Sequence, residues 1–248
     1  VVTAQKREQR LIDVPISIAV LGEEALRTAG IQNMNDLSYA VPNLSISEFN
    51  SGAQLIAIRG VSNINGSSPL VGVYLDDIPL SLAPAITVDV QAIDIQRVEV
   101  LRGPQGTLYG QGAVGGTIRF ISKEPSFDDV EGEVGLSLSN TTGGGWNKEL
   151  TGITNIPIID DTLAFRIAAT VKDKSGWIDQ PARNIDDAND TELSNINIRG
   201  LWQASEDLKV TATAIQYRND TGGFNQTNLG PVTNSIYQPA FRNGFDFP

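Results

Sequence analysis

Between Arg97 and Phe120 the chain reads RVEVLRGPQGTLYGQGAVGGTIRF, and Gly110, Gly112 and Gly115 fall in the order G-x-G-x-x-G. Glycines at that spacing can cradle a pyrophosphate when a strand precedes them and a helix opens behind them, its N-terminus facing the anion. Arg97 to Leu101 alternates and is β-branched, as a strand should be. Behind Gly115, however, Gly116-Thr117-Ile118-Arg119-Phe120 reads as a second strand, so no helix dipole faces a nucleotide. A phosphate loop fails as well, because Gly116 stands where its lysine belongs. Tyr74-Leu75-Asp76-Asp77 has the Y-x-D-D form of a polymerase metal site. Such a site needs a further carboxylate and a basic groove for the template. The chain instead carries a net charge of −11, which disfavours a nucleic-acid surface, and Asp76-Asp77 precedes Ile78-Pro79, which suits a turn. Asp160-Asp161 and Asp186-Asp187 are adjacent pairs; neighbours in a strand point to opposite faces, so neither is a natural acid–base couple. Asp186, Asp187, Asp190 and Glu192 lie near one another in sequence, but nothing in their spacing fixes a coordination geometry. With no histidine and no cysteine, imidazole and thiolate metal sites, cysteine nucleophiles and histidine-based triads are excluded. The residues therefore point to no enzyme, no resident metal and no cofactor.

The elements that carry these residues fall into two groups. A chain of 248 residues has room for one large domain or two ordinary ones. No run approaches about 18 consecutive apolar residues, so no membrane helix is expected; β-type membrane strands give a far weaker signal and stay open. No signal peptide is visible, and the chain begins at Val1 in the manner of a processed or cut sequence. The absence of cysteine is compatible with an oxidising compartment.

The first group runs from Val1 to about Pro125. Val14 to Leu21 reads as a strand, and Gly22 to Gly30 as a helix with Glu23 and Glu24 in its first turn and Gly30 to stop it. A second helix is expected over Met34 to Ala40, with Asn33 as N-cap and Val41-Pro42 as terminator. Strands are expected at Leu55–Arg59, Val71–Leu75, Arg97–Leu101 and Thr117–Ser122, which makes a small α+β domain.

The second group, from about Val130, has no helical period. Leu163, Phe165, Ile167, Ala169 and Val171 alternate with Ala164, Arg166, Ala168, Thr170 and Lys172. Val134 to Ser139, Asn195 to Trp202 and Leu208 to Ala214 alternate in the same way, while Glu149 to Ile158 is less clean. Tight connections near Ile159-Asp160-Asp161 and Ser205-Glu206-Asp207 alternate with long polar ones from Asp173 to Asp190 and from Asn219 onward. Short turns on one side and long loops on the other are the pattern of an outer-membrane barrel. Trp146, Trp177 and Trp202 all lie here, where an interfacial girdle would want aromatics. A soluble β-sandwich with one wet face shows the same alternation, so the pattern alone leaves both open.

The opening stretch, continued to RVEVLRGPQGTLYGQGAVGGTIRFISKEP, resembles the end of the plug domain of TonB-dependent outer-membrane receptors. DVPISIAVLGEEAL is similar to the family's first strand and helix, NDLSYAVPNLSI follows it in order, and LIAIRGV and VGVYLDDIPL resemble two further plug segments. VVTAQKR resembles the end of the TonB box. The resemblance implies a fold: an α+β plug domain over residues 1–125, then antiparallel transmembrane β-strands over 126–248, the N-terminal part of a large outer-membrane β-barrel. In such a fold the glycines of the opening stretch are structural, because a packed loop must turn sharply and approach other backbone closely. A family barrel has about 22 strands, within the known range, and about five are expected here. A sheet that short would leave unpaired edges in lipid, so the sequence is expected to be a fragment of a longer receptor.

The resemblance also implies a role in the bacterial outer membrane: import of a scarce nutrient, with a ferric siderophore as the default and a carbohydrate, cobalamin or another solute as the alternatives. A soluble α+β binding module is the alternative of another class. Implied partners are the TonB energy-transducing protein, the small-molecule ligand and outer-membrane lipid, with no nucleic acid. Implied site residues are Val1, Val2, Thr3 and Ala4 for TonB coupling, and Asn63, Asn65, Ser67 and Ser68 for ligand contact. Arg59 and Arg102, each before a glycine at a strand end, match plug arginines that pair with glutamates on the barrel wall.

Overall fold

The computed structural model describes residues 2–3, 7, 9–50, 53–62, 68–83, 86–87, 90–110, 112–179 and 184–222. The chain divides into two compact units, Val1–Lys123 and Glu124–Pro248. In the first, β1 (Ser17–Gly22) leads into α1 (Glu23–Thr28) and α2 (Leu37–Ala40). Then come β2 (Leu44–Asn50), β3 (Ala53–Ile58), β4 (Val61–Ser62), β5 (Val71–Leu75), β6 (Ile78–Pro79), β7 (Ser81–Ala83) and β8 (Ile86–Thr87). β9 (Ile95–Arg102), α3 (Gly106–Tyr109) and β10 (Gly116–Ser122) complete it. One sheet has the order β1-β9-β10-β5-β6; a second has β2-β3-β8-β7, with β4 paired to β3.

The first of these sheets carries the core. β10 pairs with β5 in parallel and with β9 antiparallel, and β1 closes antiparallel on β9. Val73, Val98, Leu101, Ile118 and Phe120 are fully buried, and so are Glu99 and Thr117, so these strands are covered on both faces rather than alternating with solvent, one face apolar and the other carrying polar and charged groups. Gly116 answers the glycine question: a Cβ there would sit 2.3 Å from the carbonyl oxygen of Leu101. Gly112 lies similarly against Pro69, whose carbonyl oxygen would be 3.2 Å from an added Cβ. Strand β10 begins directly behind Gly115, and among the described residues the helical turn nearby, α3, precedes Gly110. The loop is thus packed against its own backbone and has no helix N-terminus to offer a phosphate.

One local expectation needs correction. The helix expected from Met34 begins at Leu37, and Asn33 caps the turn before it: its Oδ1 accepts from the amides of Asn35 at 2.9 Å and Asp36 at 3.3 Å. Asn at a turn competes with helix by bonding nearby backbone, which here delays the helix by a turn. The segment after Pro42 is a strand, β2, paired with β3 in register Ser45↔Ala57 and Ile46↔Ile56. The Asp76-Asp77 pair occupies the β5–β6 hairpin turn; Asp76 adopts φ 54° and accepts from the amide and hydroxyl of Ser122.

The second unit is an antiparallel meander of β11 (Glu131–Asn140), β12 (Trp146–Ile159), β13 (Leu163–Lys174), β14 (Thr191–Ser205) and β15 (Leu208–Thr221). The uneven stretch at Glu149–Ile158 lies within β12. Pro157 there has no amide to give the ladder, and the register slips beside it, between Pro157 and Ile159. The two faces of the sheet are sorted by chemistry. Val134, Leu136 and Leu138 on β11 are 80%, 71% and 60% exposed, and Val171 on β13 is 57% exposed. On the opposite face of β13, Arg166, Thr170 and Lys172 are buried. Lys172 Nζ meets Glu149 Oε1 at 3.0 Å directly across the ladder, and Thr170 faces Thr151 hydroxyl to hydroxyl at 3.1 Å. A soluble sheet would bury the apolar row; this one presents it outward, the arrangement of a lipid-facing barrel wall.

Candidate functional site

Arg97 and Glu99 are two apart on β9 and share a face, and the antiparallel register sets Arg119 of β10 directly across from Glu99. The three charges therefore meet by construction. Glu99 receives Arg97 Nε at 2.8 Å and Arg119 Nη1 at 2.9 Å, with its own side chain fully buried. Asp77 stands 3.6 Å from the far nitrogen of Arg119. The Arg119 guanidinium lies over the Tyr109 ring at 5.6 Å, and the Tyr74 hydroxyl donates to the Tyr109 carbonyl. Burial pushes the Tyr109 phenol up to about 12, an effect that the nearby Arg119 charge only partly offsets. Tyr109 thus stays neutral at ordinary pH, and the arginine charges are answered by Glu99 and Asp77.

The N-terminal segment is docked on this cluster. Val2 is 1% exposed and forms an antiparallel bridge with Gln9. The Thr3 amide donates to Glu99 Oε1 at 3.0 Å, and Arg119 Nη1 donates to the Thr3 carbonyl at 2.9 Å. The Thr3 hydroxyl accepts from Arg97 Nη2 at 3.0 Å and Arg119 Nη1 at 3.1 Å. Of the four residues expected to couple to TonB, Val2 and Thr3 are thus fixed against the sheet; Val1 and Ala4 lie outside the described residues.

Arg59 and Arg102 come together at another place. Arg59 follows β3 in a left-handed conformation, φ 52°, with its amide bonded to the Asn43 carbonyl at 2.9 Å. Arg102 ends β9 opposite Ser17 of β1. Both guanidiniums donate to the one Ser17 hydroxyl, Arg59 Nη2 at 2.9 Å and Arg102 Nη1 at 3.3 Å. Arg102 Nε is buried without a hydrogen-bond partner among the described residues. A serine hydroxyl is a small acceptor for two guanidiniums, and a carboxylate would satisfy them better. Of the expected ligand-contact residues, Asn63, Asn65 and Ser67 lie outside the described residues, and Ser68 is exposed. Among the described residues, no group of three or more acidic side chains is placed to hold a metal ion.

Reading the sequence missed Glu99, Arg119 and Asn155. The first two were hidden because R-V-E-V and T-I-R-F look like strands with a wet face; an acid flanked by two valines, Val98 and Val100, was the available signal. Asn155, fully buried on β12, accepts from the Ser126 amide and donates to the Ser126 and Asp129 carbonyls. It fixes the chain that enters the meander, and nothing local in its sequence marks it.

Residues 10–117 match the TonB-dependent Receptor Plug Domain family. The pesticin receptor of Yersinia pestis is 34% identical over 208 residues, which cover 80% of this chain and 29% of the receptor. In structure, the chain is similar to the ferric yersiniabactin uptake receptor of Yersinia pestis, with TM-score 0.69 and 26% identity over 84% of this chain and 32% of the receptor. It is also similar to the ferripyoverdine receptor of the Pseudomonas aeruginosa outer membrane, with TM-score 0.72 and 24% identity over 89% of this chain and 28% of the receptor. The chain therefore spans less than a third of the length of each of these receptors.

Proposed function

Residues 10–117 belong to the TonB-dependent receptor plug family, and from that premise we propose that this chain supplies the plug and barrel strands of an outer-membrane receptor for ferric siderophores. The observation that carries this reading is the order of parts: a plug followed by an antiparallel meander whose apolar row faces outward. The similar receptors named for ferric yersiniabactin and ferripyoverdine support a siderophore as the solute.

In this reading the receptor uses no chemistry of its own on the solute. Binding selects it outside, and work delivered by TonB from the periplasm moves the plug. Val1, Val2, Thr3 and Ala4 act as the strand through which TonB pulls, by β-augmentation in which backbone hydrogen bonds provide the contact. Asn63, Asn65, Ser67 and Ser68 offer neutral hydrogen-bonding groups to the solute. Arg59 and Arg102 hold the plug to carboxylates of the barrel wall.

The test is uptake by cells that express the complete receptor in a strain lacking its other siderophore receptors. Radioiron presented on a panel of siderophores should accumulate from at least one of them, and accumulation should vanish when TonB is deleted. No radioiron uptake from any siderophore, with TonB-dependent growth on a saccharide or cobalamin instead, would move the solute to that class. Uptake that survives deletion of TonB would refute the coupling role.

A further inference from the structure

All four backbone polar groups of Val2 and Thr3 are engaged. The Val2 amide donates to the Gln9 carbonyl at 2.9 Å, and the Gln9 amide returns to the Val2 carbonyl at 3.0 Å. The Thr3 amide is held by Glu99 and its carbonyl by Arg119, at 3.0 and 2.9 Å. A strand that pairs with another does so through these same groups. A segment in this state therefore has no free edge at Val2 or Thr3 for a partner strand to join.

We propose that Arg97, Glu99 and Arg119 form a latch that withholds the N-terminal segment from its periplasmic partner strand until the cluster lets go of Thr3. The proposal rests on the coupling role given above to Val1–Ala4. Glu99 presents an acceptor and Arg119 a donor side by side, so together they imitate the edge of a β-strand toward a single residue. The Thr3 hydroxyl adds two further contacts, from Arg97 and Arg119, which an aliphatic residue could not make. A buried ion cluster is a weak means of holding a sheet together, since apolar side chains of like volume do that as well or better. β9 and β10 already have such packing in Val98, Leu101, Ile118 and Phe120. What the charges add is directional contact with Thr3. Arg119 also touches Asp77 in the β5–β6 turn and lies over Tyr109 at the end of α3. A displacement of either turn would alter its hold on the segment.

The test uses the complete receptor, purified without siderophore, and the double variant Glu99→Gln plus Arg119→Met. The pair removes both fully buried charges at similar volume, and Arg97, whose side chain is 15% exposed, keeps an amide oxygen as its acceptor. Hydrogen–deuterium exchange is followed in the peptide that contains residues 1–10, and binding of the isolated periplasmic domain of TonB is measured alongside. Exchange of the Thr3 region should quicken, and ligand-free affinity for TonB should rise, each by about tenfold, as expected for loss of hydrogen bonds to charged groups. Thr3→Val is the second variant: it removes only the hydroxyl and leaves the sheet untouched. Its exchange should quicken in the same direction by less, which decides the matter if the double variant does not fold. Parental exchange in both variants, or faster exchange with parental ligand-free affinity, overturns the latch. If neither parent nor variant binds TonB with siderophore present or absent, the coupling role itself fails, whatever the exchange shows.

Discussion

Two guanidinium groups, from Arg59 and Arg102, meet over the hydroxyl of Ser17, and that imbalance argues for a further acceptor. Each guanidinium can hold a carboxylate through two parallel hydrogen bonds, a geometry that serine cannot match. Where such a pair is desolvated, removing one partner costs about 3–5 kcal/mol, because the other charge is left buried and unpaired. Arg59→Ala plus Arg102→Ala in the complete receptor should therefore loosen the plug without unfolding the barrel. Planar-bilayer conductance should rise at lower urea than it does for the parent protein. Superimposable conductance curves would return both residues to ordinary surface arginines. At this scale the sequence singles out Arg59 and Arg102 only through the resemblance of I-R-G and L-R-G-P to plug segments. It was not legible where a residue acquires its partner across a ladder. Arg119 faces Glu99 only because β9 and β10 pair in one register, and a shift of one residue would send the charge to the other face.

Among the elements, the meander makes the sharper statement. Its connections alternate between short turns, at residues 160–162 and 206–207, and longer ones, at 141–145 and 175–190. Strands of 12 to 15 residues in β12 to β15 extend about 40–50 Å at the usual rise per residue, more than an apolar band about 25 Å tall requires. Their long-loop ends thus have length to stand clear of the membrane, and described residues of those loops are tied by hydrogen bonds. Ser175 takes the Gly145 amide on its hydroxyl and gives its own amide to Asn147, while Asn189 Oδ1 accepts from the amides of Trp177 and Ile178. Topology follows from the side on which these loops lie. A cysteine at Asn184 in the complete receptor should react with a membrane-impermeant maleimide on intact cells, and one at Asp161 should not. The reverse pattern would invert the strand order through the membrane. This chain brings no cysteine of its own to blur the result. The alternation in β13 was readable from sequence, because a period of two survives any partner. Which of its faces is wet was not, since a soluble sheet and a barrel wall share that period and differ only in what covers the apolar row.

For the molecule as a whole, the first unit has two sheets and the second has one, and in the N-terminal segment Val2 and Thr3 engage four main-chain groups and one side chain, the Thr3 hydroxyl. That distinction sets the last test. If Val1–Ala4 is the strand through which TonB pulls, the identity of its side chains matters less than the run of amides and carbonyls it offers. Proline changes the run itself: it removes a donor and fixes φ near −65°. At Val2 it would also delete the hydrogen bond that the Val2 amide donates to the Gln9 carbonyl, so the docked state and the pulled state both lose a contact. Neither loss reaches the solute's side of the receptor. Val2→Pro in the complete receptor should therefore bind radiolabelled ferric siderophore at the cell surface with parental affinity, yet accumulate none inside. Val2→Ala, which keeps the amide, should retain most of the uptake. Parental uptake by the proline variant would show that force enters the plug elsewhere. Loss of binding together with uptake would show that the Val2–Gln9 bridge supports the plug's fold rather than its coupling.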